Sequence, residues 1–258
     1  MFMIKNNFSK FELKKQVIFI TGGTSGIGLA LAKKFASLQC KVIICGRNQK
    51  KLDAALKVDK NISGFTVDLN HSGAILIIKK YFSSTQISPS ILINNAGIGQ
   101  YMNFISEAFT TLQPHIEQEI QINMQSVMLL SAALLPYIKQ NAPGAIINIT
   151  SGLALAPKKS SPVYCATKAG IRSFSQSLRY QIEDAKLDIR VIEVLPPIVD
   201  TPMTANVITK KISTEQLAND IIKGLLQNKK EVYSGKTKWL KWIYYFSPSI
   251  AYKILRNF

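Results

Sequence analysis

Residues 17–28 read Val-Ile-Phe-Ile-Thr-Gly-Gly-Thr-Ser-Gly-Ile-Gly, and they are the part of the sequence that most narrows the possible folds. Its apolar beginning, 17–20, has the length of a buried strand, and a helical pattern follows at 27–38. Glycines between a strand and a helix let the backbone approach a pyrophosphate, which the helix N-terminus then faces. The turn predicts a dinucleotide site, and a glycine-rich turn without a ligand is the alternative. Cofactor contacts are expected at Gly22, Thr24, Ser25, Gly26, Ile27 and Gly28.

The alternation of strands and helices continues through the first two thirds of the chain. Apolar runs typical of buried strands recur at 42–45, 91–93, 145–149 and 189–194, with helical patterns at 71–82, 116–137 and 163–185. This order predicts right-handed crossovers and a parallel sheet with helices on both faces. We therefore expect an α/β fold with a single doubly wound sheet of the Rossmann type. The domain would span residues 1–235, and an amphipathic helical tail would span 236–258.

The composition is that of a folded, strongly basic protein. Hydrophobic residues make up 47% of the 258 residues and charged residues 18%, which argues against disorder. The 32 lysines and arginines outnumber the 15 acidic residues, which gives a formal charge of +17. This excess favours anionic partners such as phosphorylated cofactors, acidic lipid surfaces or nucleic acid. A lysine-rich proteome would explain it equally well.

The cysteines, the histidines and the lengths of the apolar runs exclude several classes of protein. Cys40, Cys45 and Cys165 are odd in number and lie in apolar or helical patterns, which favours a reducing cytoplasm over a disulfide framework. His71 and His115 have no ligand-like spacing, so we expect no metal site. Residues 1–15 lack the apolar stretch of a signal peptide, and no apolar run is long enough for a membrane span.

A basic residue stands where the second strand is expected to end. Residues 46–48 read Gly-Arg-Asn, at the place where a cofactor with a free 2′-hydroxyl would be bound by an acidic side chain. Arg47 can pair bidentately with a 2′-phosphate instead. The sequence therefore predicts NADP as the cofactor, with NADPH preferred over NADH. A solvent-exposed Arg47 that binds nothing is the alternative.

Tyr164 and Lys168 form a candidate acid–base pair. They stand four residues apart in a helical pattern, so their side chains share one face of the helix. A neighbouring cation stabilises phenolate, and Lys168 is therefore expected to lower the Tyr164 pKa from its usual value of about 10 towards working pH. Tyr164 would then be a usable proton donor. The same spacing occurs by chance on many amphipathic helices.

Several motifs together resemble the short-chain dehydrogenase/reductase family, from residue 17 to about residue 232. They match in order and spacing: the turn at 21–28, Asp68 after the third strand, Asn-Asn-Ala-Gly at 94–97, Asn123, Ser151, and Tyr164 with Lys168. Pro196 and Pro197 stand where many relatives have Pro-Gly, which should stiffen the loop that follows the sixth strand. These prolines, with Ser-Gly-Leu-Ala at 151–154 and Tyr-Cys-Ala-Thr-Lys at 164–168, resemble oxidoreductases encoded in D-alanine-transfer operons.

The resemblance implies a catalytic set of Asn123, Ser151, Tyr164 and Lys168. Tyr164 would exchange a proton with the substrate oxygen, which Ser151 would hydrogen-bond. Lys168 would also bind the nicotinamide ribose, and Asn123 would hold a water molecule beside Lys168. A solvated helix face is the alternative for the Tyr164–Lys168 pair, and a helix cap is the alternative for Ser151.

Further cofactor contacts are implied along the rest of the chain. Asp68 would accept a hydrogen bond from the adenine amino group, and Asn95 would line the adenosine side of the groove. A strand-end cap and a turn residue are the alternatives for these two positions. The full set beyond the glycine-rich turn is Arg47, Asp68, Leu69, Asn95, Ala96, Gly97, Tyr164, Lys168, Pro196, Ile198, Val199 and Thr201.

The C-terminal segment, 236–258, combines aromatic residues with lysines. Trp239, Trp242, Ile243 and Phe246 recur at steps of three and four residues, and Pro248 divides the segment into two short helices. This pattern suits a membrane surface, and it suits a substrate lid or a dimer contact almost equally well. No nucleic-acid module accompanies the lysines, so nucleic acid is not an expected partner.

The sequence therefore predicts an oxidoreductase that uses NADP(H) to interconvert a carbonyl and an alcohol on a small, apolar substrate. By analogy with the family it would be a homodimer or homotetramer in the cytoplasm, with peripheral membrane contact through the tail left open. Two alternatives are a nucleotide-binding scaffold whose chemistry has lapsed and a membrane-surface adaptor that works through its tail. The intact set of Ser151, Tyr164 and Lys168 favours the enzyme.

Overall fold

A seven-stranded parallel sheet forms the centre of the computed structural model, which describes residues 11–257. The strand order is β3-β2-β1-β4-β5-β6-β7, so the order reverses between β1 and β4. Ligands of such open sheets bind at the carboxyl ends of the strands, next to this reversal. The predicted fold class is confirmed. The strands are β1 Val17–Thr21, β2 Lys41–Gly46, β3 Ile62–Thr66, β4 Ile91–Asn94, β5 Gly144–Ile149, β6 Ile189–Leu195 and β7 Glu231–Tyr233.

Helices connect the strands and continue beyond the last one. They are α1 Gly26–Ser37, α2 Gln49–Leu56, α3 Ala74–Thr85, α4 Phe109–Ile120, α5 Ser126–Gln140, α6 Pro162–Asp184, α7 Thr214–Leu226, α8 Thr237–Phe246 and α9 Pro248–Leu255. A π-helical turn, Gln121–Gln125, joins α4 to α5. Short 3-10 turns follow β5 at Gly152–Ala154 and β6 at Pro202–Thr204.

The sheet separates two hydrophobic cores, because successive side chains of each strand point to opposite faces. On one face Ile18 and Ile20 pack in a cluster with Phe35 of α1 and Leu217 of α7. On the other face Phe19 packs in a cluster with residues of α3, α5 and α6, such as Ile78, Leu134 and Ile182. Helices therefore cover both faces of the sheet. Because all strands run parallel, their carboxyl ends form one common edge.

Four elements have no counterpart among the apolar runs and helical patterns of the sequence: β3, β7, α2 and α7. The polar Ser63 and Gly64 interrupt β3, and β7 has only three residues. The helix expected at 116–137 is also different in the structure. It is a longer element that begins at Phe109, contains the π-helical turn, and ends at Gln140.

The tail forms two short helices divided at Pro248, as the sequence predicts. Leu240 of α8 and Ala251 of α9 are buried in a small third cluster with Leu155 and Leu195. The Thr237 hydroxyl donates a hydrogen bond to the Leu195 carbonyl at 2.6 Å. The tail is therefore packed onto the loops that follow β5 and β6.

The absences expected from the sequence can be compared with the structure only between residues 11 and 257. Residues 1–10, part of the segment in which no signal peptide is expected, lie outside the described residues, as does Phe258 of the tail. Between residues 11 and 257, no helix is long and apolar enough to cross a membrane. The same part of the chain holds no group of three or more His, Cys, Asp or Glu side chains that could bind a metal. The three cysteines are buried, free thiols.

Candidate active site

A cleft of about 300 Å³ lies next to the reversal of strand order, at the carboxyl ends of the strands. This volume is at the lower end of the range for small-molecule sites. The structure brings together in its lining most of the residues that the sequence assigns to the cofactor: Gly22, Thr24, Ser25, Gly26, Ile27, Arg47, Asp68, Leu69, Asn95, Ala96, Gly97 and Thr201.

The glycine-rich turn has a backbone that only glycine adopts readily. Gly22 and Gly26 have φ angles of +64° and +52°, in the left-handed region. A Cβ atom on Gly28 would lie 2.3 Å from the Gly22 carbonyl oxygen, so Gly28 allows α1 to pack closely on the turn. Within the described part of the chain, the Ser25 side chain makes no capping hydrogen bond to α1. The backbone N–H groups at the start of this helix fit a diphosphate.

Two cations lie at the β2 side of the cleft. Arg47 follows β2, and Lys51 lies in the first turn of α2; both are exposed and both line the cleft. The Asn48 side chain caps α2 by accepting a hydrogen bond from the Lys51 backbone N–H at 3.0 Å. Lys51 is absent from the sequence-based set of cofactor residues. Its signal was a second cation in the helical turn that follows Arg47.

Asp68 and Asn95 line the cleft, and both also make local hydrogen bonds. The Asp68 carboxylate accepts a hydrogen bond from the Asn70 N–H at 3.0 Å, as expected of a residue that caps a strand end. The Asn95 side-chain amide donates to the Thr21 carbonyl at 2.9 Å and so ties the end of β4 to the glycine-rich turn. Their contacts with an adenosine group stay predictions.

Ser151, Tyr164 and Lys168 lie together at the end of β5 and the beginning of α6. The Ser151 hydroxyl accepts a hydrogen bond from the Leu153 N–H at 3.1 Å and is also hydrogen-bonded to Tyr164. Lys168 is buried, and its ammonium donates to the Ile149 carbonyl at 2.9 Å. A Cβ atom built on Gly97, which lines the cleft, would lie 3.5 Å from the Lys168 Nζ. The candidate acid–base pair is therefore next to the cleft.

The pKa values of this pair differ from the sequence-based expectation. Burial raises the pKa of Tyr164 to about 12, and the hydrogen bond with Ser151 opposes this only in part. Burial also lowers the pKa of Lys168 to about 8. The expected lowering of the Tyr164 pKa by Lys168 is therefore wrong for this structure. The Lys168 Nζ lies 5.7 Å from the centre of the Tyr164 ring, and desolvation of the phenolate is the largest influence on the Tyr164 pKa.

Asn123 lies in the π-helical turn and is fully buried. Its amide oxygen accepts a hydrogen bond from the Ile98 N–H at 2.9 Å, and its amide nitrogen donates to the Ile98 carbonyl at 2.8 Å. Asn123 therefore fixes the loop that follows β4. Its expected role in holding a water molecule stays a prediction.

The proline-containing loop after β6 is held from both sides. The Pro196 carbonyl accepts a hydrogen bond from the Gly152 N–H at 3.0 Å, and the Ile198 carbonyl accepts one from the Ile212 N–H at 3.1 Å. A Cβ atom on Gly26 would lie 3.2 Å from the Thr201 side chain, so Thr201 lies over the glycine-rich turn. Among residues 11–257, the predicted cofactor residues outside the lining of the cleft are Gly28, Tyr164, Lys168, Pro196, Ile198 and Val199.

Glu119 is a further ionisable residue near the site that the sequence-based set does not contain. It is fully buried, and its Oε1 accepts a hydrogen bond from the Gln100 N–H at 2.5 Å. It stands four residues before Asn123, so the two side chains lie on neighbouring turns of one helix. The sequence carries no signal for it, because Glu119 stands among other polar residues at 115–121.

Comparisons with known proteins agree with this geometry. Residues 16–212 match the family model of the short chain dehydrogenase. An uncharacterised oxidoreductase of Bacillus subtilis, DltE, is 34% identical over 239 residues, which cover 89% of this chain and 92% of the relative.

Solved structures are also similar. A short-chain dehydrogenase from Sphingobium yanoikuyae in complex with NADPH has a TM-score of 0.75 and 25% identity, with 87% of this chain and 91% of that chain covered. A short-chain dehydrogenase from Burkholderia cenocepacia in complex with NADP has a TM-score of 0.83 and 23% identity over 95% and 99% of the two chains, and it shares the fold. The family model spans more than half of the present chain. This chain therefore belongs to the short-chain dehydrogenase family and is an NAD(P)-dependent oxidoreductase.

Proposed function

We propose that this enzyme interconverts a carbonyl and an alcohol, with Tyr164 as the group that gives and takes the proton, and that it prefers NADPH to NADH. One observation carries the proposal. The Tyr164 hydroxyl is hydrogen-bonded to Ser151 and lies one helical turn from the buried Lys168, which borders the cleft at Gly97. A substrate oxygen beside Tyr164 would therefore stand next to the bound cofactor.

The residues divide the work as follows. The nicotinamide, when bound, supplies or accepts the hydride. In the direction of reduction, Tyr164 donates its phenolic proton to the substrate oxygen as negative charge develops there. Ser151 donates a hydrogen bond to the same oxygen and stabilises that charge. Because burial strongly disfavours the phenolate that remains, the ammonium of Lys168 is needed to stabilise it.

Replacing Tyr164 by Phe tests this mechanism. The phenyl ring keeps the contact that a tyrosine ring makes at Gly99, and only the hydroxyl is lost. We expect turnover of a panel of carbonyl probes, with decanal among them, to fall by about 10²- to 10⁴-fold when NADPH oxidation is followed. NADPH binding, measured by cofactor fluorescence, should change little. The matched control is Tyr180→Phe, an exposed tyrosine on the same helix.

Two other results would be decisive. Wild-type turnover in Tyr164→Phe would show that the proton comes from another group. A wild-type protein that binds NADPH tightly but turns over no probe with a carbonyl or an alcohol would favour the lapsed scaffold.

The preference for NADPH is supported by charge at the β2 side of the cleft. Arg47 and Lys51 stand on the two sides of the Asn48 cap, and a 2′-phosphate there would meet two cations. A guanidinium and an ammonium each form charge-assisted hydrogen bonds with phosphate oxygens. NADH has only a 2′-hydroxyl at this place, which gains little from either cation.

For the tail we favour a membrane surface among the three roles left open. Trp239 and Trp242 of α8 are 75% and 55% exposed, and Trp242 stacks on Phe246 with 6.2 Å between the ring centres. Residues 236–257 contain four lysines and one arginine but no acidic residue. Two like-charged tails repel each other, whereas an anionic lipid surface attracts both the cations and the aromatic side chains.

The position of the tail also supports an apolar substrate. A Cβ atom on Gly152, the residue after Ser151, would lie 2.9 Å from the Thr237 side chain and 3.3 Å from that of Leu240. The start of α8 therefore lies beside the catalytic serine. A substrate taken from a lipid surface would reach the site along this helix. The predicted homodimer or homotetramer stays a prediction, with light scattering as its test.

A further inference from the structure

The loop that follows β4 is held against the acid–base pair by one helix. Asn123 binds both backbone groups of Ile98, and Glu119 accepts the hydrogen bond of the Gln100 N–H. Gly99 lies between these two anchors, where a Cβ atom would be 3.3 Å from the Tyr164 ring. The position of the ring is therefore limited by a loop whose backbone depends on two side chains of the α4–α5 element.

Holding the loop requires a hydrogen-bond acceptor but no charge, because a neutral side chain could accept the same hydrogen bond. The charge of Glu119 therefore needs an explanation of its own. Its carboxyl group is fully buried, and its Oε2 has no hydrogen-bond partner among residues 11–257. Burying a carboxylate is costly unless a cation or further hydrogen bonds compensate. The cation whose charge acts on Glu119 is Lys168, which is buried itself and lies on α6, a helix packed against α4.

The two groups influence each other electrostatically. Burial raises the Glu119 pKa, and the hydrogen bond from Gln100 and then the charge of Lys168 oppose this rise. In turn the Glu119 carboxylate raises the pKa of Lys168 against the larger effect of burial. The charge of Glu119 also raises the pKa values of Tyr164 and Cys165 of α6. His115 lies one turn before Glu119 on α4.

We propose that Glu119 is a positioning residue for the proton-transfer pair: it holds the loop at 98–100 against Tyr164 and supplies the negative charge opposite the Lys168 ammonium. The inference rests on the proposed function of Tyr164 and Lys168. It assigns to the buried carboxylate the task of keeping Lys168 charged inside the protein. Without that charge, Lys168 would lose its proton at a lower pH and would no longer stabilise the phenolate.

Two substitutions at Glu119 separate the charge from the anchor. Glu119→Gln keeps an oxygen that accepts from the Gln100 N–H and removes only the charge, in a side chain of nearly the same shape. Glu119→Leu removes both. Glu117→Gln is the matched control, because Glu117 lies on the same helix and is exposed, and among the described residues its side chain is hydrogen-bonded only to Gln113.

The main measurement is the pH profile of kcat/KM for NADPH-dependent reduction of decanal. In Glu119→Gln we expect the alkaline limb to move to lower pH by on the order of one unit, so that the rate in this limb falls about tenfold. At more acidic pH the rate should equal that of the wild type. Glu119→Leu should lose about tenfold at every pH, because the Gln100 N–H loses its acceptor and the loop its anchor.

A second measurement needs no turnover. The dissociation constant of NADPH, followed by cofactor fluorescence, should increase as the pH rises, because Lys168 is expected to bind the ribose. In Glu119→Gln this increase should begin at a lower pH than in the wild type. If the profiles of Glu119→Gln and Glu117→Gln both coincide with that of the wild type, the inference is wrong. Loss of activity in Tyr164→Phe in the same series would leave the proposed function standing.

Discussion

The cleft beside the glycine-rich turn and the surface of α8 and α9 differ in what determines their shape. In the cleft, the backbone and close packing determine the shape: Gly28 leaves no room for a single extra carbon atom beside Gly22. On the tail, large exposed side chains such as Trp239 and Trp242 form an apolar surface that does not require one particular partner shape. One added methyl group should therefore disable the cleft, whereas changes to the tail should act by degrees.

Gly28→Ala should have the largest effect. Its Cβ atom would collide with the Gly22 carbonyl and the Asn95 side chain, which forces the turn and α1 apart. We expect NADPH binding to be lost and the free energy of unfolding to fall by about 1–3 kcal/mol. Calorimetry of cofactor binding and thermal unfolding would measure both.

Gly170→Ala on α6 is the control for this variant. Its Cβ atom would meet only the flexible end of the Met124 side chain, and alanine is the better helix former. This variant should be as stable as the wild type or slightly more so. Equal NADPH binding by Gly28→Ala and the wild type would contradict the idea that close packing shapes the cleft.

Removing the two cations of the cleft should have the next largest effect. We expect Arg47→Ala to weaken NADPH binding by about tenfold, and Arg47→Ala with Lys51→Ala by about a hundredfold, because charge-assisted hydrogen bonds to the 2′-phosphate are lost. The dissociation constant of NADH should stay the same. Lys50→Ala is the control, since the exposed Lys50 does not line the cleft. An unchanged ratio of NADPH to NADH affinity in the double variant would exclude both residues as the selector.

The pH dependence of the wild-type rate tests the part of Lys168 in the proposed proton transfer. Burial lowers the pKa of Lys168 to about 8, so its ammonium is present below that pH and is lost above it. We therefore expect the rate of carbonyl reduction to be highest below about pH 8 and to fall towards tenfold per pH unit above it. A rate that stays constant through this window would mean that the charge of Lys168 is not needed.

Changes on the tail should have the smallest effect on the chemistry. Trp239→Ser with Trp242→Ser should weaken sedimentation with vesicles of anionic lipid by about tenfold and leave turnover of a short, water-soluble aldehyde unchanged. Binding of the wild type should also weaken as salt is added. Tyr180→Ser, which removes an exposed aromatic residue of α6, is the control.

Point substitutions are preferable to a truncation after Gly235. Leu240 and Ala251 fill a cluster with Leu155 and Leu195, so removal of the tail would uncover the loops beside Ser151. No sedimentation of the wild type at low salt would contradict the membrane proposal. If the wild type does not bind vesicles and the variant with Trp239→Ser and Trp242→Ser has a higher KM for apolar aldehydes, the tail would instead be a lid.

The sequence predicted the fold well where one residue pattern determines one element. The buried strands β1, β2, β4, β5 and β6 are apolar runs, and their alternation with helices fixes the topology. The apolar pattern did not mark β3, where Ser63 and Gly64 break the run, although the family motifs place a third strand before Asp68. The π-helical turn leaves no mark in an apolar pattern either. The glycine-rich turn, Arg47 and Asp68 line one cleft, and their contacts with a cofactor stay predictions.

What the sequence could not provide are effects of the folded environment. The direction of the Tyr164 pKa depends on how completely the phenol is desolvated, and spacing on a helix contains no information about that. Glu119 is one more acidic residue in the sequence until the fold buries it opposite Lys168. Lys51 acquires a role only when the Asn48 cap brings the start of α2 to the cleft.

The π-helical turn at Gln121–Gln125 also acts as a change of rotational phase within one long helical element. One extra residue turns everything beyond it by about 100° relative to an uninterrupted α-helix. Glu119 and Asn123 can thereby reach the loop at 98–100 while Leu130, Leu134 and Ile138 of α5 pack on the sheet. An alignment of related chains that opens a one-residue gap in this turn would therefore keep the core in register and lose the match at Asn123.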